Sequence, residues 1–307
     1  MKNILLAALF LVGGLPGFSE EVRPISLHSG AEGAVPLAGM TDEAFLERLA
    51  GICHRDVEEF IEATLMEESY VEEFGRERAE DDAARYRQAV QALVDSVSGF
   101  YKAYLKYTQT CIEAVEHPYE LELLDVCRGM LRRYIQLDFA NLSNSMALWF
   151  PRVYVDLNWQ QYEESNYLLI NDDATEFEKC LSEYMNDTPS SDYYTSVIVE
   201  MRRNRLEEMR RIMLDIMQES GGGAEFLTGY CGQGSTPEQV ALFRAAEKAW
   251  DAYRDALLAS HAPVHNAALS GTGSGGLVLG LHKVLLGSHM QMLVELMNLK
   301  KRQFDMY

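Results

Sequence analysis

Proline is scarce in this chain, with 8 residues among 307, so few positions forbid a helix and long helices are permitted. Long hydrophobic runs are lacking too. Ile4 to Val12 and Leu277 to Leu286 are the two apolar stretches, and both fall short of the roughly 20 residues that cross a bilayer. The second is also broken by His282 and Lys283. Basic side chains are few, 27 against 47 acidic ones, for a net charge of −20. Such a chain repels nucleic acid and anionic lipid, both of which demand a basic footprint. It suits instead a basic protein partner, although excess carboxylates also serve simply as a solvated coat.

Catalytic sets are equally thin. Gly273-Ser274-Gly275 lacks the spacing of a nucleophile elbow, and the loop around it lacks the Lys-Ser/Thr pair of a phosphate-binding loop. His54 and Glu58 are four residues apart, as are Glu58 and Glu62, but no His pair joins them to complete a metal site. His261 and His265 have Pro263 between them. The reading is therefore a protein that is not an enzyme, with no catalytic residues, no metal and no cofactor.

What is present begins with the N-terminus. Met1-Lys2-Asn3, the apolar run, then Gly13, Gly14 and Pro16, and a small residue at Ser19 before Glu20-Glu21 have the form of a cleavable export signal. Cleavage is expected near Ser19, which removes only Lys2 among charged residues. No cysteine lies there for lipid attachment. The expected location is periplasmic or secreted, without stable membrane insertion.

Residues 20–40, with Pro24 and Pro36, read as a leader. Thr41-Asp42-Glu43 opens a helix with a capping hydroxyl and acids favoured by the helix dipole. Apolar steps of three and four from Leu49 to Leu65 carry it towards Gly75. A second helix is expected from Ala79 to Glu116, with Tyr86, Val90, Leu93, Val94, Val97, Tyr101, Tyr104, Leu105 and Ile112 on its apolar stripe. A third runs from Leu121 to Trp149, closed by Pro151. After an aromatic, broken segment with one short helix at Ala174–Met185 and a possible strand at Val153–Val155, Ser196 to Glu219 alternates apolar residues with a dense Arg/Glu face. Ser235-Thr236-Pro237-Glu238-Gln239 is a capping box with proline at the first helical position. The helix it opens carries Val240, Phe243, Ala246, Trp250, Tyr253 and Leu257 and is expected to end near Pro263. The Gly-rich stretch 271–276 then leads as a loop to a last helix through Leu296. The sum is an all-α fold of helical hairpins in two blocks, 41–150 and 196–307, joined by 151–195.

Five cysteines lie in the expected mature part, where disulfides are allowed. Cys111 lies six residues before His117 and Cys127 seven after Glu120, at nearly the same height on two antiparallel helices. That placement suits a disulfide. Cys180 with Cys231 is a second expected pair, which leaves Cys53 buried and reduced.

The most distinctive stretch is residues 249–256, Ala249-Trp250-Asp251-Ala252-Tyr253-Arg254-Asp255-Ala256. It resembles the Trp-x-x-Tyr-Arg-Asp helix of the LprI-type lysozyme inhibitor domain, a small helical domain of exported bacterial proteins. The looser pattern runs from Pro237 to Leu296. Gly275-Gly276 follows in the family order and Ser288 stands near the expected threonine. Gln291 replaces an arginine, and both family cysteines are absent. A second, decayed copy is suggested around 104–135, where Tyr104 and Tyr107 repeat the spacing of Trp250 and Tyr253 and Cys111 and Cys127 supply the cysteines. The resemblance implies a binding role for Trp250, Tyr253, Arg254 and Asp255, with a basic protein such as lysozyme as partner. The competing reading is an envelope-associated interaction module for some other partner, with the same four residues serving the core and a surface ion pair.

Overall fold

The computed structural model describes residues 40–113, 120–146, 192–218, 236–268 and 273–304. The expected export signal, the leader up to residue 39, Val153–Val155, Ala174–Met185, Cys180 and Cys231 lie outside them. Every extended element among the described residues is helical, and none of the helices is long and apolar enough to cross a membrane.

Helix α1, Asp42–Phe60, starts where the sequence places it. Thr41 is extended, and its Oγ1 accepts the Ala44 amide at 3.2 Å. The single helix expected as far as Gly75 is instead interrupted. A π-helical turn spans Ile61–Leu65, and α2 begins only at Glu68 and ends at Phe74. Val57, Ile61 and Leu65 recur at strict steps of four and are all buried. An α-helix would rotate such a series off the core face, whereas the wider π turn keeps it there. Gly75, at φ 87°, then turns the chain in a conformation that side chains resist.

Helix α3, Arg76–Glu113, is 38 residues long. Its buried positions include Ala79, Ala83, Tyr86, Val90, Leu93, Val97, Phe100, Tyr104, Tyr107 and Cys111, alternating steps of four and three. That is a seam of period 3.5, which suits a long pairing with another helix. The partner is α6, Pro237–Ala268, whose buried Phe243, Ala246, Trp250, Tyr253, Leu257 and Ser260 follow the same rule. Phe100 stacks on Tyr253 and Tyr107 tilts onto Phe243, so the two helices run antiparallel. The capping box holds: Thr236 N–H donates to Gln239 Oε1 at 2.7 Å, and Gln239 N–H to Thr236 Oγ1 at 3.2 Å.

Helices α4, Glu120–Met146, and α7, Gly273–Phe304, pair in the same antiparallel sense, with α5, Asp192–Gln218, lying along α7. From Gly276 to Leu296, no described side chain of α7 is exposed, as expected of a helix that is apolar on most of its circumference. Residues of both expected blocks share one buried cluster, so 41–150 and 196–307 are not separate cores. Two further boundaries are corrected. Helix α6 passes Pro263 to Ala268, and Gly273–Gly276 is the first turn of α7 rather than a loop. A proline in a helix removes one backbone donor and crowds the carbonyl four residues earlier, so it bends or weakens a helix without always ending it.

The expected Cys111–Cys127 bond is also corrected. Cys53, Cys111 and Cys127 are buried thiols. Cys127 sits against the Thr108 hydroxyl and Cys111 against Tyr107. Thr108 precedes Cys111 by three residues, about 4.5 Å of helical rise, so the hairpin register sets Thr108 opposite Cys127.

Candidate functional site

The candidate site is a polar cluster inside the bundle, built around Glu247 of α6. Glu247 occupies the buried side of its helix, three residues before Trp250 and four after Phe243. Three donors from three other helices converge on its carboxylate. Tyr104 of α3 donates its hydroxyl, Arg210 of α5 donates Nε, and His289 of α7 places Nε2 at 3.1 and 3.2 Å from the two oxygens. Arg210 continues to Asp251 at 3.1 Å and to Glu207 at 2.6 Å. Asp251 in turn meets Arg254 at 2.9 Å, and Arg254 meets Asp255 at 2.8 Å.

Trp250 is enclosed by the same groups. Its indole stacks on the His289 ring at 3.8 Å and 12°. The guanidinium carbons of Arg210 and Arg254 lie over it at 5.4 and 5.1 Å. The ring is therefore a partner for cations already inside the protein.

Electrostatics follow from burial. Burial and the nearby Arg210 and Arg254 cations push the His289 imidazole well below its ordinary value, so it is neutral. A neutral imidazole facing a carboxylate donates from Nε2, and among the described residues Nδ1 has no hydrogen-bond partner. Burial, with Asp251 close by, pushes the Glu247 carboxyl up. The Arg210 cation acts the other way, and three converging donors fit the carboxylate form. The cluster cross-links α3, α5, α6 and α7 at one level and thereby sets their register.

Of the four expected binding residues, Trp250 and Arg254 are brought together, and Asp255 is tied to Arg254 on the surface. Tyr253 is not part of this group. It is fully buried under Phe100 at 5.2 Å and 6°, on the side facing Asp138. Trp250 and Tyr253 are thus core residues, and of the four only Asp255 is exposed. The sequence reading missed Tyr104 as a polar partner, put Arg210 on the solvent-facing Arg/Glu side although it is buried, and missed Glu247 and His289 altogether. Their one local signal is a polar group at a stripe position: Arg210 between Leu206 and Met213, Glu247 between Phe243 and Trp250, His289 between Leu285 and Met292.

The other sequence candidates are engaged elsewhere. His54 bonds to Gln91 at 3.0 Å and Glu58 chelates Arg87 at 2.7 and 2.6 Å, which ties α1 to α3. A second polar tie closes the start of α1. Arg132 of α4 bonds to Asp42 at 2.8 Å, to the Met40 carbonyl at 2.9 Å and to the Tyr101 hydroxyl at 3.0 Å, over the Phe45 ring at 5.0 Å.

Fold and cluster define a class: an all-α bundle of antiparallel helical pairs with an ionic core. Comparison with family models, curated proteins and solved structures gives no match.

Proposed function

We propose that this chain is an exported helical binding protein that engages a basic protein, of the lysozyme-like wall-hydrolase class that the 249–256 resemblance suggests. The observation that carries the reading is the corner formed by α2 and the start of α3. Glu67, Glu68, Glu72, Glu73, Glu77, Glu80 and Asp81 are all exposed there, and none of them pairs with a cation among the described residues. Phe74 projects among them, 47% exposed and leaning on Tyr70 at 4.7 Å. Acids around an exposed aromatic suit a surface rich in lysine and arginine, through long-range attraction and cation–π contact. Attraction of this kind speeds encounter and is screened over a Debye length of about 8 Å at physiological salt.

The test is binding of the 20–307 chain to a basic lysozyme at two ionic strengths, with a Glu72→Lys/Glu73→Lys/Glu77→Lys variant alongside. Binding that weakens with salt, and an association rate at least tenfold slower in the variant, are expected. No binding at low salt, or a variant that binds as well as the native chain, removes the reading. The second reading, an envelope-associated module for another partner, is favoured by one observation: Trp250 and Tyr253 are spent in the core. It predicts that lysozyme activity is untouched while the acidic corner still captures a different basic protein.

A further inference from the structure

Two buried carboxylates of this bundle come with an arginine, Glu247 with Arg210 and Glu295 with Arg133, and the half-buried Asp42 has Arg132 and Arg128. Asp138 is different. It lies in α4 at its contact with α7, 4% exposed, and its partners are hydroxyls. Ser288 of α7 donates to Oδ1 at 3.0 Å. The Tyr253 hydroxyl of α6 faces the same carboxyl without completing a well-formed hydrogen bond.

Among the described residues the surroundings supply no cation. Phe100 of α3 covers the Tyr253 ring, and the Cys53 thiol of α1 lies near that tyrosine. On α7, His289 is turned onto Trp250 and Glu247, and Glu295 is held by Arg133 and Tyr134 of α4. Arg254, the next residue on α6, is committed to Asp251 and Asp255. Among the described residues no arginine, lysine or histidine bonds to Asp138. A carboxylate is poorly accommodated in such a place, whereas a neutral acid can both accept from one hydroxyl and donate to another.

We infer that Asp138 is a proton-dependent latch between α4, α6 and α7, closed while its carboxyl, as a neutral acid, accepts from the Ser288 hydroxyl and lies against the Tyr253 hydroxyl, and loosened when the proton leaves. Burial pushes the carboxyl up to about 7, which puts the change within reach of ordinary environments. In the unfolded chain the group ionises near 3.8. The folded value is the higher one, so the latch contributes fully below about pH 4. Its contribution falls as pH rises to about 7 and is level beyond.

The test is amide hydrogen exchange of the full chain, native and Asp138→Asn, read over Met130–Leu142 and Leu281–Leu293 at pH 5 and pH 8 and corrected for intrinsic rates. The native chain is expected to open about a hundredfold more readily at pH 8 than at pH 5. The isosteric amide, which has no proton to lose, removes that difference. A carbon-13 carboxyl titration of the native chain labelled at aspartate reads the same group without any substitution and expects one resonance moving near neutral pH. The latch is refuted by an unchanged pH dependence in Asp138→Asn, or by aspartate resonances that all titrate below pH 5.

Discussion

Replacing Arg210 with alanine is expected to damage this protein far more than the same change at Arg254, although only Arg254 belongs to the recognisable 249–256 stretch. The side chains of Arg210 and Glu247 are 10% and 8% exposed. Removing the cation leaves a buried carboxylate with two neutral donors, a loss of about 3–5 kcal/mol. Arg254 is 17% exposed, but its partners Asp251 and Asp255 are 36% and 67% exposed. Water screens those pairs, and their loss together with one cation over Trp250 costs about 1–1.5 kcal/mol. The gap of about 1.5 kcal/mol or more is a factor of about 12 or more in the folding equilibrium. Urea unfolding followed by circular dichroism measures it from the midpoints at a common slope. Adding Glu247→Gln to Arg210→Ala recovers part of the loss, because the amide oxygen still accepts from Tyr104 and His289. Equal costs at the two arginines, or a double variant no better than Arg210→Ala, would refute the assignment of Glu247 as the centre of the ionic core.

Two further outcomes are expected. Burial pushes the Cys111 and Cys127 thiols up to about 12, and Cys53 is raised as well, so peptides carrying these residues resist alkylation at pH 8 in the native chain and react in urea; a non-reducing peptide map that joins Cys111 to Cys127 contradicts this. Burial alone would raise the Asp42 carboxyl, but hydrogen bonds from Tyr101, Arg132 and Arg128 outweigh it and hold the group below its ordinary range. The folded value is the lower one, so its stabilisation is present above about pH 4 and is lost as pH falls through the folded value. Asp42→Asn should therefore cost about 1 kcal/mol at pH 7 and progressively less as pH falls below about 4 in urea titrations, and a cost that does not shrink with acid speaks against the charged clasp.

Local signals were sufficient for much of the architecture. Thr41 and the Thr236/Gln239 box are caps because a hydroxyl or amide reaches amides three residues away, and nothing distant is needed. The stripes of α3 and α6 are legible for a similar reason, since side chains three and four apart share a helix face whatever packs on it. Steps of four at Val57, Ile61 and Leu65 were visible too, but whether the backbone or the packing yields to them is settled by what α1 packs against.

The sequence by itself determined that this chain forms long amphipathic helices, where most of them start, and that its surface is strongly acidic. Only the tertiary structure decided that Trp250 lies between His289 and two arginines, that Tyr253 turns away towards Asp138, and that Cys127 meets Thr108. Helix formation is a property of neighbours a turn apart. The charge a buried group can carry depends on donors brought in from helices 37 to 143 residues away, as at Glu247, and no local pattern records which of them arrive.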